Sequence, residues 1–529
     1  MEEKKVWKVI RIINYILLAA FVVCTTVMLS KVIAMKILPA KYIAIMITFT
    51  IIIVSLNLIL RKKKAANIIM SIVCVAMSVV YIFGYQVVNK VDEVVDKVTE
   101  GGDVQVTVME IRVLADNATD SMSQLEEYTI GFMKTRDRSY TNKVFDAILE
   151  EAGDTFVGKE YADDPTLLVD ALYNGEVDAI IISAVYVGVL EEIEGYEDFA
   201  TKTKVVEEVE IEEKIALRNE FNSQMSQTTP STDGTEEPTT NNGGSSGGHD
   251  YGQYGEWGGG FVYKEPTSAA DMDKSAFVIY ISGIDTYGNV NRKSRSDVNI
   301  LMVVNTETKK VLLVNTPRDY YVPLSISNGV PDKLTHAGNY GVEVSRDTLG
   351  LLYGVNADYY VRMNFTGFID VIDAMGGIDV YSEYAFTSNG LDFVSGLNTG
   401  LSGREALIFA RERKQFASGD NQRGKNQMAL ITAMIKKAAT KEVIFNYKEV
   451  LDAIAGSFQT NFTSEEIFAL VKMQMNDLAS WSVETYSVTG TGSRNVTFSV
   501  PSKEGYVMIP NYDTVETARG KIRAVLSGE

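Results

Sequence analysis

The sequence predicts a membrane-anchored α/β protein with three transmembrane helices, a smaller α/β domain, and a larger α/β domain whose mixed central sheet is covered by helices on both faces. Three observations support this class. Three long uncharged apolar runs fill the first hundred residues, a Ser/Thr/Gly-rich tract divides the remainder, and strand-like runs alternate with amphipathic helices on both sides of that tract. The predicted units are an anchor at 1–100, an accessory domain at 101–223, a flexible linker at 224–260 and the larger domain at 261–529.

The apolar runs at 12–30, 42–60 and 65–88 contain 19, 19 and 24 residues, with no charged residue in any of them. About 20 apolar residues in a helix cross a bilayer, so each run predicts a transmembrane helix. A cleavable signal peptide is disfavoured because three such runs follow one another. Basic residues cluster before the first run and at 61–64, between the second and third. This asymmetry predicts a cytoplasmic N-terminus and places everything after residue 88 outside the cell.

The charge of the chain is unevenly distributed. The 529 residues include 50 Lys and Arg and 69 Asp and Glu, a formal charge of -19. Residues 1–100 hold 13 basic and 6 acidic residues (+7), which leaves 37 and 63 (-26) for residues 101–529. A region this acidic argues against nucleic-acid binding, which needs a basic face. The two cysteines, Cys24 and Cys74, lie in the apolar runs, which excludes a disulfide framework in the ectodomain.

The accessory domain is predicted to contain strands at 104–115 and 178–183 and amphipathic helices at 141–151 and 165–175. No combination of its residues predicts a reactive site. Its Asp/Glu runs are therefore interpreted as a solvated surface. The linker at 224–260 lacks any helical or strand period, and its composition is too polar to form a core.

The larger domain begins with a buried strand at 277–285 and a hairpin formed by strands 298–305 and 310–316. Helices and strands then alternate up to a terminal helix at 514–526. The hairpin within this alternation predicts mixed strand pairing. Ligands of such folds usually bind at the C-terminal ends of the strands.

Charged and amide side chains lie next to these strand ends and at the start of a long helix. They are Asp285, Arg295, Asp297, Arg318, Lys333, Arg411, Arg413, Arg423 and Gln427. Arg411 and Arg413 share a face if the apolar run before them is a strand. Asp420, Arg423 and Gln427 share a face of the predicted helix.

If these residues converge, six cations meet two carboxylates. Two like charges 4 Å apart repel by roughly 4 kcal/mol at an effective dielectric near 20, so the cluster requires a bound anion. Guanidinium groups match phosphate oxygens, and two carboxylates suit Mg²⁺ (or Mn²⁺) beside phosphates. The predicted ligand is therefore pyrophosphate with a divalent cation. Scattered surface ion pairs of little energetic weight are the alternative, and the residues alone do not decide between the two.

The ordered motifs GID, RSDVN, TPRD, KLTHAG, FARER and D-x-x-R-x-x-x-Q, preceded by transmembrane helices, resemble the LytR-CpsA-Psr family. The arrangement is most similar to its capsular-polysaccharide branch, whose members have three membrane helices and an extra extracellular domain. The resemblance implies that 261–529 is the catalytic domain of a phosphotransferase. Such an enzyme moves a polysaccharide, in this branch a capsular one, from undecaprenyl pyrophosphate to peptidoglycan and leaves a phosphodiester link. A pyrophosphatase side activity and contacts with other capsule-assembly proteins are also expected.

The resemblance also implies residue roles. Asp285 and Asp297 would hold Mg²⁺ (or Mn²⁺). The pyrophosphate would be bound by Arg295, Arg318, Lys333, Arg411, Arg413, Arg423 and Gln427. Many relatives have Arg immediately before the glutamine, where this chain has Asn426, so Asn426 is left out of the site.

The implied reaction is attack of a peptidoglycan hydroxyl on the sugar-linked phosphorus, with polyprenyl phosphate as the leaving group. Positioning and electrostatic stabilisation are expected to dominate, with Asp297 or Asp285 accepting the proton.

The segments 365–376 and 407–410 either line a slot for the isoprenoid or belong to the core. His336 lacks a nucleophile partner and is interpreted as structural. A non-catalytic polyprenyl-pyrophosphate-binding regulator of capsule synthesis is the alternative function, whereas a DNA-binding attenuator is disfavoured by the acidic, extracellular mass.

Overall fold

The computed structural model describes residues 2–99, 102, 104–215, 269–416 and 419–529. The predicted linker at 224–260 lies outside these residues. Two separate sheets lie on either side of it in the sequence, one between residues 104 and 214 and the other between residues 276 and 487.

The N-terminal region forms three helices long and apolar enough to cross a membrane, as predicted. They span Glu2–Ala34, Ala40–Leu60 and Lys64–Thr99. The side-chain amide of Asn14 donates to Ser71 Oγ (2.9 Å) and joins the first helix to the third. The third helix continues eleven residues beyond the predicted apolar run, to Thr99. Its last turns stay helical because Val91 and Val95 are buried with Phe468 of the larger domain.

The accessory domain is a five-stranded sheet in the order β3-β2-β4-β1-β5. Its strands are β1 (Val104–Leu114), β2 (Thr129–Met133), β3 (Val157–Tyr161), β4 (Ala179–Ser183) and β5 (Thr203–Lys214). Its helices span Arg138–Ala152, Pro165–Tyr173, Val185–Leu190 and Phe199–Lys202. The two strands and two helices predicted from sequence are all present. Strand β5 was not predicted, because its many glutamates conceal the alternation of an edge strand with one exposed face.

The larger domain contains a six-stranded sheet in the order β16-β11-β6-β7-β8-β17. These strands are β6 (Ala276–Ile284), β7 (Ser296–Asn305), β8 (Lys310–Asn315), β11 (Tyr359–Met363), β16 (Phe458–Thr460) and β17 (Ser482–Ser487). Strands β6, β7 and β8 pair antiparallel, whereas β11 runs parallel to β6 and β17 parallel to β8. The mixed sheet predicted from sequence is confirmed.

Four two-stranded ribbons surround this sheet. They pair β9 (Tyr321–Pro323) with β10 (Pro331–Lys333), β12 (Ile378–Ser382) with β15 (Gly396–Leu401), β13 (Phe386–Ser388) with β14 (Leu391–Phe393), and β18 (Gly490–Asn495) with β19 (Gly505–Pro510). Strand β12, with the sequence IDVYS, therefore belongs to a ribbon and not to the central sheet.

Helices cover both faces of the central sheet. They span Ala337–Tyr340, Val342–Tyr353, Phe365–Ala374, Gly403–Arg411, Asp420–Ala438, Lys441–Phe445, Tyr447–Ile454, Ser464–Asp477 and Tyr512–Ser527. Alternate residues of β6 enter different cores, since Val278 and Tyr280 pack with the terminal helix while Phe277 and Ile279 pack on the opposite face. Two-sided burial explains why β6 is a nearly continuous apolar run.

The run LIFAR is helical, so the strand considered for it is wrong. It lies in the helix Gly403–Arg411, which begins at an N-cap Ser402 that exchanges hydrogen bonds with Glu405 in a capping box. A short apolar run does not distinguish a helix from a strand, and here the cap decides. Arg411 is the last residue of the helix and Arg413 lies in the loop that follows, so they do not share a strand face.

The accessory domain packs directly against the larger domain. The Val106 N–H donates to the Asn291 carbonyl, and the Lys293 N–H donates back to the Val106 carbonyl, both at 2.8 Å. Arg136 Nη1 donates to the Ser499 carbonyl at 2.9 Å. Backbone as well as side-chain hydrogen bonds therefore join the two domains at this interface.

Candidate active site

A cavity of about 570 Å³ opens where the central strands β6, β7 and β8 reach one edge of the sheet. Nearly all of the side chains predicted to bind the ligand line it. They are Asp285, Arg295, Asp297, Arg318, Arg411, Arg413, Arg423 and Gln427. The ninth, Lys333, contacts a residue that lines the cavity, since its Nζ atom lies 2.5 Å from Glu192 Oε2. The structure therefore brings the predicted residues together, and their chemical roles remain predictions.

The antiparallel order of the strands explains this convergence. Strand β6 ends at Ile284, which pairs with Ser296 at the start of β7, so Asp285 leaves β6 at the end where β7 begins, and both Asp285 and Asp297 line the cavity. Strand β8 ends at Asn315, opposite Ile300 of β7. The end of β6, the start of β7 and the end of β8 thus lie at the same edge, although their residues are separated in sequence.

The helix Asp420–Ala438 packs closely on the Asn315 side chain of β8 at a glycine. A Cβ atom on Gly424 would lie 2.4 Å from the side-chain nitrogen of Asn315. The adjacent residue, Arg423, lines the cavity. The absence of a side chain at position 424 therefore leaves room for the Asn315 side chain of β8 next to Arg423.

Replacing Gly424 with Ala is expected to destabilise the full-length protein by about 1–3 kcal/mol, the usual range for overpacking, and to displace Arg423. Thermal unfolding of the purified protein measures the effect. Gly520→Ala is the matched control, because Gly520 is a helical residue with nothing within 4 Å of its added Cβ. That change is expected to be neutral or stabilising by up to about 1 kcal/mol. Equal unfolding temperatures for the two variants would contradict the close-packing argument.

Arg318 is the centre of the charged side of the cavity. Its Nη1 donates to Asp297 Oδ1 at 3.0 Å, and its Nη2 donates to Glu192 Oε1 at 3.1 Å. The Nε atom also lies 3.6 Å from Asp319 Oδ2, within ion-pair distance. Thr335 Oγ1 also donates to Asp297 Oδ1, at 3.0 Å. These contacts fix the guanidinium plane and Asp297 relative to each other.

Glu192 belongs to the accessory domain, and its carboxylate joins the cations of the larger domain. Burial opposes the ionisation of Glu192, but Lys333, followed by Arg318 and Arg295, outweighs burial and lowers its pKa to about 2. Because the pKa of Glu192 in the folded protein lies below its ordinary value of 4.5, the ionised carboxylate stabilises the folded state. This contribution to the free energy of unfolding is fully present above pH 4.5. It is lost as the pH falls towards 2.

The other charged wall of the cavity carries Arg411, Arg413 and Arg423. Arg411 Nη2 lies 3.8 Å from Asp285 Oδ1, and its guanidinium lies over the Phe365 ring, 4.4 Å from the centroid. The aromatic contact holds this guanidinium at the boundary between the charged and apolar parts of the cavity.

The remainder of the cavity is apolar. The lining side chains come from β6, β7, β11 and the helices Phe365–Ala374, Gly403–Arg411 and Asp420–Ala438; they include Ile281, Val298, Met302, Phe368, Val371, Met375, Leu407, Leu430, Ile431, Met434 and Ile435. The segments considered for an isoprenoid slot in the sequence thus do line a cavity. A charged mouth that continues into an apolar interior matches the shape of a lipid with an anionic head group.

The sequence model of the LytR_cpsA_psr family matches residues 261–511. The protein named polyisoprenyl-teichoic acid–peptidoglycan teichoic acid transferase TagU from Bacillus mycoides is 35% identical over 227 residues, which cover 42% of this chain and 73% of that protein. The chain belongs to the LytR-CpsA-Psr family. The protein of the same name from Halalkalibacterium halodurans is 32% identical over 219 residues, covering 41% of this chain and 71% of the relative.

Solved structures similar to this chain include TagT bound to LI-WTA and, from Bacillus subtilis, TagV. TagV is 28% identical, with a TM-score of 0.41, and the match covers 48% of this chain and 98% of TagV. TagT is 25% identical, with a TM-score of 0.39, and the match covers 50% of this chain and 97% of TagT.

Within this LytR-CpsA-Psr domain, Asp285 and Asp297 are the carboxylates available for a divalent cation at the cavity mouth. Among the described residues no group of three His, Cys, Asp or Glu side chains forms a complete protein-only metal site. A pair of carboxylates nevertheless fits Mg²⁺ or Mn²⁺, because Mg²⁺ commonly takes one or two carboxylates and completes its shell with phosphate oxygens and water.

Glu192 was missed by sequence reasoning, and the interpretation of the accessory acidic residues as a purely solvated surface is wrong at this position. Glu192 lies in a run of glutamates with no motif around it. No local pattern distinguishes it from the exposed Glu191 and Glu194. Only the docking of the two domains places it against the cations.

Two further sequence interpretations concern residues near the site. Asn426, left out of the predicted site, is buried, and its side-chain oxygen accepts from Gln422 Nε2 at 3.1 Å. His336 is buried with Nδ1 2.7 Å from Asp332 Oδ1, which agrees with a structural role. The side chain of Asp420 lies outside the described residues.

Proposed function

We propose that this chain is a membrane-anchored extracellular phosphotransferase. It transfers a polysaccharide, capsular as in the family branch it resembles, from undecaprenyl pyrophosphate to peptidoglycan through a phosphodiester bond. The observation that carries the proposal is one cavity with a cationic mouth and an apolar interior. Its relatives are named as teichoic acid transferases acting between a polyisoprenyl-linked polymer and peptidoglycan, which supports the same reaction class with a different glycan.

The charged part of the cavity and its apolar part recognise different portions of the donor. Arg295, Arg318 and Lys333 on one side, and Arg411, Arg413 and Arg423 on the other, bind the pyrophosphate. Guanidinium groups suit this task because their planar forks donate two parallel hydrogen bonds to phosphate oxygens. The isoprenoid enters the apolar interior, where each buried methylene contributes about 0.8 kcal/mol.

The reaction follows from this placement. A hydroxyl oxygen of a peptidoglycan sugar attacks the phosphorus that carries the glycan and forms a new P–O bond. The bond from that phosphorus to the bridging oxygen breaks, and polyprenyl phosphate leaves with the electron pair. Asp297 or Asp285 accepts the hydroxyl proton, while the guanidinium groups stabilise charge on the phosphoryl oxygens. Asp285 and Asp297 would hold Mg²⁺ or Mn²⁺, which would supply further charge neutralisation. Water in place of the sugar gives the pyrophosphatase side activity.

The location of this reaction follows from the membrane helices. The basic residues before the first helix and at 61–64 favour a cytoplasmic N-terminus, which puts the cavity outside the cell after three crossings. Peptidoglycan is then accessible to the cavity, and other capsule-assembly proteins are potential neighbours in the same membrane.

The experiment that tests this function is a turnover assay on the full-length protein in lipid nanodiscs. The substrates are a polyprenyl-pyrophosphate-linked capsular oligosaccharide and soluble peptidoglycan fragments, with and without Mg²⁺. The expected product is the oligosaccharide joined to peptidoglycan by one phosphate, together with polyprenyl phosphate, in equal amounts. Tight binding of the donor without any turnover would instead support a non-catalytic polyprenyl-pyrophosphate-binding regulator.

A further inference from the structure

The accessory domain inserts one carboxylate among the cations at the cavity mouth. Glu192 follows the helix Val185–Leu190, and Oε1 accepts from Arg295 Nη1 at 2.7 Å and from Arg318 Nη2 at 3.1 Å. Its Oε2 accepts from Lys333 Nζ at 2.5 Å. A single side chain from one domain thus contacts three of the six cations that the proposed function assigns to pyrophosphate.

Arg295 fits closely against both Gly188 and Glu192 of the accessory domain. Arg295 Nη1 donates to the Gly188 carbonyl at 3.1 Å as well as to Glu192. A Cβ atom on Gly188 would lie 3.1 Å from Arg295 Cζ, closer than nearly all real contacts of this kind. The guanidinium therefore packs flat against a backbone position without a side chain, which indicates a close fit between the accessory domain and this residue.

Charge balance explains what Glu192 does in the absence of a ligand. Arg295, Arg318 and Lys333 carry three positive charges close together, and Lys333 is almost fully buried, with 4% of its side chain exposed. Asp297 and Asp319 supply two negative charges to Arg318. The carboxylate of Glu192 supplies the third, and its pKa of about 2 keeps it ionised at neutral pH. Without it the mutual repulsion of the cations would separate them.

The same hydrogen-bond donors cannot serve Glu192 and a phosphate at once. The two Nη atoms of Arg318 are directed at Asp297 and Glu192. Arg295 and Lys333 are directed at the same Glu192 carboxylate. A pyrophosphate that takes these N–H groups of Arg295, Arg318 and Lys333 therefore competes with Glu192 for them.

Displacement does not require the domains to separate. Their contacts through Val106 and Arg136 involve other residues than Glu192. Glu192 itself is a long side chain that is 24% exposed, so it can rotate towards solvent while the domains remain docked.

We propose that Glu192 is an internal placeholder anion, which holds Arg295, Arg318 and Lys333 together while the site is empty and competes with the donor pyrophosphate for them. This inference rests on the proposed function for the identity of the competing ligand. It gives the accessory domain a role in setting the affinity of the active site. After transfer, the two phosphate groups of the pyrophosphate leave on separate products. The Glu192 carboxylate then returns to the cations that these phosphates release.

The test is isothermal titration of inorganic pyrophosphate into full-length protein in detergent micelles. Glu192→Gln is expected to bind pyrophosphate at least about tenfold more tightly than wild type, because a charged competitor has become a neutral one. Glu194→Gln is the matched control: Glu194 is two residues away, 86% exposed, and contacts Arg494 outside the cluster. Its affinity is expected to equal that of wild type.

The outcomes separate this inference from the proposed function. If Glu192→Gln binds pyrophosphate equally or more weakly than wild type, while Arg318→Ala loses binding, the cation site stands and Glu192 is not a competitor. If neither wild type nor Glu192→Gln binds pyrophosphate, the cation site and the placeholder both fail. Should Glu192→Gln unfold, Glu192→Asp replaces it; this shorter carboxylate is expected to reach the three cations less well and to bind pyrophosphate more tightly than wild type. Weaker binding by Glu192→Asp would overturn the proposal.

Discussion

Replacing Arg318 with Ala is expected to lower kcat/KM for glycan transfer about 100- to 1,000-fold. Arg318 donates to both Asp297 and Glu192, and it follows β8 at the edge where β6, β7 and β8 converge. Loss of a donor that stabilises developing charge in a dry site typically removes about 3–4 kcal/mol of transition-state stabilisation. The measurement is the rate of transfer from a polyprenyl-pyrophosphate glycan to peptidoglycan fragments.

Two variants make this result interpretable. Arg318→Lys keeps the charge but loses the planar fork, so an intermediate rate is expected. Arg494→Ala removes a half-exposed arginine that contacts Glu194 away from the cavity, so its rate is expected to equal that of wild type. Near-normal transfer by Arg318→Ala, with the fold intact, would remove the cation cluster from the mechanism.

Filling the apolar interior is the second change with a large expected effect. Ile431 lines the cavity from the helix Asp420–Ala438 and is partly buried. In Ile431→Trp the larger side chain occupies space that the isoprenoid needs, and exclusion of even a few methylenes, each contributing about 0.8 kcal/mol, weakens donor binding about 100-fold. The measurement is the affinity of the full-length protein for undecaprenyl pyrophosphate.

The same variant separates the two halves of the cavity. Its affinity for inorganic pyrophosphate is expected to be unchanged, because Ile431 is part of the apolar wall and the cations are elsewhere. Ile431→Val, which keeps the shape of the wall, serves as the control and is expected to bind the lipid like wild type. Equal loss of lipid and inorganic pyrophosphate binding in Ile431→Trp would show that the helix has moved and that the apolar interior was not specifically blocked.

Much of the site was accessible from sequence because its residues are tied to recognisable strand ends. Asp285, Asp297 and Arg318 follow or precede strongly apolar strands, and an antiparallel hairpin returns its ends to the same edge. The position of Arg411 was predicted to be near the site for the wrong local reason. Its segment is helical because Ser402 and Glu405 cap it, a signal that lies before the apolar run and not within it.

The sequence by itself determined the three membrane helices, the mixed α/β class of the larger domain, and the set of cations and carboxylates available to a phosphate ligand. These properties follow from apolar run length, residue periodicity and side-chain chemistry, all of which are local. Only the tertiary structure decided that the cations meet at a cavity with an apolar interior and that Glu192 is among them. Charge compensation between domains depends on which surfaces dock, and that choice is made by packing between residues distant in sequence, for which a run of glutamates carries no local signal.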